Sequence, residues 1–273
     1  MKIVSSLIAT ARRTTARIGN VTARPSLSPR SRIRCALFGA ALMMVRLSGL
    51  SDAIAADASG AAAGKLLIFR NIPSWNRSPD FEDATRTLGL AFDVKKSSEM
   101  KTARMADYRV IVIPGAQWET GYYADFAQAA RAFDQYVQDG GVLLFELNGA
   151  EQEGITLPGG ASMVRHEGYD NLILLPRHPA VAPLAQKPRI TANLASHGYL
   201  VRVPANALVL VAVTKDGDAA ADTGKPTYVE YSQGKGRIIA ACQCFHDQGD
   251  SGRGPLMPAV LTYAMAGKWF SPK

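Results

Sequence analysis

Asn148 stands where an α/β enzyme would carry its nucleophile. The apolar run Val142-Leu143-Leu144-Phe145-Glu146-Leu147 leaves Gly140-Gly141 and ends in a turn at Asn148-Gly149. A buried strand feeding a sharp turn presents one side chain above the sheet edge. An amide is neither a competent nucleophile nor a proton carrier at neutral pH. Three carboxylates, Glu146, Glu151 and Glu153, surround the turn, and His246 follows a second apolar run. A carboxylate paired with His246 acts as a general acid or base if the fold brings the two together. In the other reading Glu151 and Glu153 are solvated loop acids and Glu146 is a strand-end residue bonding nearby backbone. His246 lies where an α/β sheet opens its ligand crevice, and it is either a ligand-facing group or a satisfied structural histidine.

Cys242, Cys244 and His246 alternate along the chain, a pattern that suggests metal ligation from one strand face. Residues four apart on an extended strand are about 13 Å apart, too far for one ion. No metal site is therefore assigned, and the two thiols read as small core side chains, buried and unreactive. Two loops are rich in groups suited to binding: Trp75, flanked by Ser74, Asn76 and Arg77, and Gly115-Ala116-Gln117-Trp118-Glu119. Each follows an apolar run, and both belong at the carboxyl edge of a sheet. There the tryptophans stack on a ligand while Arg77, Gln117 and Glu119 supply hydrogen bonds, or each ring merely lids a neighbouring helix.

The elements that must position these residues alternate. Residues 65–70 form a short, nearly continuous apolar run, as a strand covered on both faces requires. A helix over 80–88, with Phe81, Ala84, Thr85 and Leu88 at helical spacing, leads to a strand at 91–94. Another strand at 109–113 precedes one long helix over 122–138, then the strand at 142–147. This order predicts an α/β fold with a central, mostly parallel sheet and helices on both faces. Beyond Asn148 the pattern changes to short strands at 172–175, 199–203, 208–213, 227–231 and 237–242, several joined as hairpins. Turns are expected at Asp216-Gly217 and Gly234-Lys235-Gly236, with a loop tip over 218–224. A last helix covers 256–266.

The chain has 273 residues and a formal charge of +8. That charge belongs to the first 55 residues, which hold nine Lys and Arg against the single acid Asp52; the remainder carries 22 of each sign. A neutral domain implies no nucleic-acid partner. Arg30, Arg32 and Arg34, the apolar stretch 35–45 and Ala53-Ile54-Ala55 read as a secretory signal cleaved before Ala56. Arg46 interrupts the apolar stretch short of the roughly 20 residues of a membrane span, so no stable anchor is expected. Residues 1–29 read as an over-extended start or as a transit peptide, which leaves organelle import as the alternative to a periplasmic or secreted location. Residues 56–64 form an Ala-rich linker, and 65–273 one domain. With only Cys242 and Cys244 in it, that domain is no disulfide-stapled scaffold.

Val112-Ile113-Pro114-Gly115, the passage from Tyr136 through Gly140-Gly141 to Leu144, His178-Pro179, Val229-Glu230-Tyr231 and Gly234-Lys235-Gly236-Arg237-Ile238 together resemble the class I glutamine amidotransferase-like superfamily, over roughly residues 66–266. The resemblance implies a flavodoxin-like sheet with additional C-terminal β-hairpins. It places Asn148 at the position of the family's cysteine and His246 at that of its histidine. Gln248 falls where the family has an acid, Glu146 and Ala150 replace elbow glycines, and the Gly115 loop resembles an oxyanion-stabilising loop. The expectation is an exported, non-catalytic module that uses no cofactor and binds a small molecule or carbohydrate in the cell envelope. The alternative is a periplasmic hydrolase of amides or glycan-related bonds that uses His246 with a carboxylate or an activated water.

Overall fold

Five parallel strands make the half of the sheet that carries the site. They are β1 (Lys65–Phe69), β2 (Phe92–Lys95), β3 (Tyr108–Ile113), β4 (Val142–Glu146) and β9 (Gly236–Ala241), laid side by side as β2-β1-β3-β4-β9. With β9 as the fifth strand this is the flavodoxin-like order, whose direction reverses between β1 and β3. The computed structural model describes residues 64–73, 79–118, 121–149, 154–215, 220–245 and 254–272. The leader and nearly all of the linker lie outside the described residues. Every described residue belongs to the unit Ala58–Lys273, and no described helix is long and apolar enough to cross a membrane.

The period-2 geometry of a strand splits the apolar runs between two cores. Leu67, Ile111, Leu143 and Ile238 pack with Phe126, Phe133 and Val137 of helices α2 (Tyr122–Gln128) and α3 (Ala130–Gln138). Leu66, Val110, Leu144 and Ile239 pack on the other face with Phe81 of α1 (Asp80–Thr87) and with Val260 and Leu261 of α4 (Leu256–Ala266). Helices therefore cover both faces. Where one long helix is expected over 122–138, two occur. Ala129 has ψ near 4°, and its N–H is shared between the Asp125 and Phe126 carbonyls, so the ladder tightens there while Phe126 and Phe133 both reach the core.

The later strands are longer than their apolar patches. Strands β5 (Ser162–Ile173), β6 (Arg189–Val201), β7 (Leu208–Thr214) and β8 (Ala221–Gln233) continue the same sheet antiparallel, in the order β9-β8-β7-β5-β6. The runs expected at 172–175 and 199–203 are only the ends of β5 and β6. Register shifts between Arg165 and Gly168 and between Gly168 and Asp170 break the alternation that would have marked the rest. Residues 221–224, expected in a loop tip, pair within β8, whereas 216–219 lie outside the described residues. The turn at Gly234-Lys235 joins β8 to β9 as the sequence implies.

Candidate functional site at the carboxyl edge of the parallel strands

The strand that presents Asn148 ends in a clamp. Glu146 is 1% exposed; its Oε2 accepts the Gly115 N–H at 2.8 Å and its Oε1 the Phe245 N–H at 2.6 Å. One carboxylate thus ties the loop after β3 to the segment after β9 across the end of β4. Asn148 comes next, also 1% exposed. Its carbonyl accepts the Ala116 N–H at 2.6 Å and the Tyr123 hydroxyl at 3.5 Å, and its side-chain Nδ2 donates to Cys244 Sγ at 2.9 Å. Among the described residues, the buried Asn148 Oδ1 finds no hydrogen-bond donor.

Close approach dictates the small residues here. A Cβ on Gly115 would sit 1.5 Å from Asn148 Oδ1, so only glycine lets the amide lie flat against the loop. Gly149 has φ +93°, and its Cβ would meet Trp118 Nε1 at 2.9 Å and Ala116 Cα at 3.2 Å. Ala116 itself is left-handed, φ 57°, and fully buried. A non-glycine residue in that region is uncommon, and here its N–H is tied to the Asn148 carbonyl across the elbow.

Trp118 is 59% exposed, with its Nε1 beside Gly149 at the elbow. Gln117, read from the sequence as ligand-facing, is fully buried. Its Oε1 accepts the Asn71 and Ile72 N–H groups at 2.9 and 3.2 Å, and its Nε2 donates to the Ile72 carbonyl at 3.0 Å. The amide staples the loops after β1 and β3 together at the point where the strand order reverses. Tyr122 braces the same place, donating its hydroxyl to the Phe69 carbonyl at 2.6 Å, and complete burial pushes its phenol well above the usual range. Trp75, Glu119, Glu151, Glu153 and His246 lie outside the described residues.

Sequence reasoning missed His197. This β6 residue brings Nε2 to 3.6 Å from Cys244 Sγ, while its backbone N–H donates to the Cys242 carbonyl at 2.9 Å. β9 ends at Ala241, so Cys242 and Cys244 do not share a strand face. Cys242 joins the apolar cluster under α2 and α3, as a core thiol should. Cys244 is also buried, at 5% exposure, but its neighbours are an amide and an imidazole. The cue lay only in a histidine preceding a glycine inside a strand. No group of three or more potential ligands suited to a metal ion occurs among the described residues.

A second polar cluster lies away from the elbow. Glu230 of β8, fully buried, takes His178 Nε2 at 2.9 Å and Arg237 Nη1 at 3.2 Å, and the Arg237 guanidinium stacks on Trp269 at 5.0 Å. Three of the short motifs noted in the sequence thus meet there in one polar cluster that fastens the C-terminal segment to the sheet.

No family model matches the chain. An uncharacterized protein of Clostridium acetobutylicum is 22% identical over 183 residues, covering 66% of this chain but 18% of that protein, so the chain spans about a fifth of the length of the curated relative it matches. Similar solved structures include a cytoplasmic protein of Salmonella typhimurium, at 17% identity and a TM-score of 0.47 over 74% of this chain and 98% of that one. They also include a glutamine amidotransferase of Thermotoga maritima, at 13% identity and a TM-score of 0.43 over 66% of this chain and 75% of that one. At such scores the fold assignment rests on the chain's own strand order.

Proposed function

We propose that this chain is an exported, amidotransferase-like domain that binds a small molecule or carbohydrate at the carboxyl edge of β1, β3 and β4 and performs no acyl transfer from glutamine. The observation that carries the reading is the way the elbow is filled. Asn148 is the elbow residue, and the two consecutive N–H groups after β3 are already engaged, Gly115 by Glu146 and Ala116 by the Asn148 carbonyl. Acyl transfer needs a nucleophile together with preorganised donors about 2.7–3.1 Å from the forming oxyanion. Neither of these two donors points at open space. What supports binding is the position at a strand-order reversal, with the exposed Trp118 ring beside it. The cationic, apolar leader ending in Ala53-Ile54-Ala55 supports export.

The test sets glutamine and simple amide hydrolysis by wild type, Asn148→Cys and His246→Ala beside a thermal-shift screen against sugars, amides and cell-wall fragments. Expected are no ammonia from wild type or Asn148→Cys, and a ligand that raises the melting temperature of wild type but not of Trp118→Ala. Ammonia release by wild type that disappears in His246→Ala would make the protein a hydrolase and overturn the reading.

A further inference from the structure

We propose that Cys244 is a reactive thiolate, paired with His197, that reduces small hydroperoxides at the elbow. Among the described residues, two polar side chains reach its sulfur from different elements. Asn148 Nδ2, at the end of β4, donates to Sγ at 2.9 Å, and His197 Nε2, on β6, stands 3.6 Å away. An imidazole at that distance takes the thiol proton and then holds the thiolate as an ion pair, and the amide N–H adds a second donor to the same charge. The carboxylate of Glu146 opposes this, since it bonds the N–H of Phe245, the next residue along. Two backbone N–H groups hold that charge at 2.8 and 2.6 Å, whereas His197 touches the sulfur itself.

Asn148 supplies an independent sign that the place is built for something other than packing. Among the described residues its buried Oδ1 has no donor, an arrangement that cores otherwise avoid. Cys242, two residues away, belongs to the apolar cluster under α2 and α3 and provides the comparison within the same segment.

The chemistry follows from what the site has and lacks. Carbonyl substrates would need donors for an oxyanion, and the Gly115 and Ala116 N–H groups are engaged elsewhere. A hydroperoxide needs only a thiolate and a proton for its leaving oxygen, and it is small enough for a cysteine 5% exposed. The thiolate attacks the terminal oxygen, the S–O bond forms as the O–O bond breaks, and His197 gives its proton to the departing alkoxide. Sulfur loses two electrons and the peroxide gains them, leaving a sulfenic acid, an alcohol or water, and a neutral imidazole.

The experiment labels the native protein with iodoacetamide across pH and locates the adducts by fragmentation mass spectrometry. It then treats the protein with hydrogen peroxide and traps sulfenic acid with dimedone. Cys244 should label about ten-fold or more faster than Cys242 at neutral pH, with a midpoint below the ~8.5 of an ordinary thiol. His197→Gln, and separately the near-isosteric Asn148→Asp, should raise that midpoint while the circular dichroism spectrum is kept. If either variant fails to fold, the other decides. A midpoint at or above ~8.5, labelling no faster than at Cys242, or no dimedone adduct at Cys244 overturns the proposal.

Discussion

Replacing Glu146 by Gln tests whether the elbow is held by one carboxylate. The wild-type side chain accepts two backbone N–H groups, from Gly115 at 2.8 Å and Phe245 at 2.6 Å, while 1% exposed. A hydrogen bond to a buried charged acceptor contributes about 1.5–3 kcal/mol. Glutamine keeps one acceptor oxygen and turns an NH2 toward the other backbone N–H, so one bond is lost and two donors face each other. The expected loss is about 2–4 kcal/mol, which at a urea slope of about 2–3 kcal/mol/M lowers the unfolding midpoint by roughly 0.7–2 M. Hydrogen exchange gives the local readout, because the Gly115 or Phe245 amide that loses its acceptor should exchange faster in the variant. A midpoint shift under about 0.3 M at unchanged slope, with both amides as protected as before, would show that the clamp does not hold these loops.

Gly115→Ala should be among the most damaging single-methyl changes in the chain, because its Cβ would fall 1.5 Å from Asn148 Oδ1 and expel the amide from its slot. A drop in melting temperature of about 5 °C or more is expected, and a drop under about 1 °C would mean that Asn148 moves aside without cost. Glu82 sets part of the pH dependence. Burial raises its carboxyl above the usual 4.5, even though Arg70 Nε stands 2.6 Å away. A raised folded-state value means the folded protein holds the proton more tightly. The stabilising contribution is then complete below about pH 4.5 and is lost as pH rises through the folded value. Glu82→Gln cannot ionise, so its melting temperature relative to wild type should climb from about pH 4 to about pH 7. A difference that stays flat across that range would refute the assignment.

The amino-acid order by itself determined the class of fold and the position of the elbow. Continuous apolar runs and helical spacing are local properties, and they mark β1, β3, β4 and the last helix, Leu256–Ala266, within a residue of where they form. They also put Asn148 and Gly115 at strand ends, since a buried run followed by Gly or Pro has to turn there. What those side chains touch was decided only in three dimensions. Glu146 bonds a residue 99 positions away, Gln117 turns inward to one 46 away, and Cys244 meets a histidine 47 positions back along the chain. Such partners leave no period in the sequence. They are chosen where the loops at the ends of parallel strands meet one another and β6 passes beside them, and bulges like those at Gly168 alter strand register without changing composition. Cys244 therefore reads as a core thiol in one dimension and sits against an amide and an imidazole in three, because packing and hydrogen bonding select neighbours by position in space.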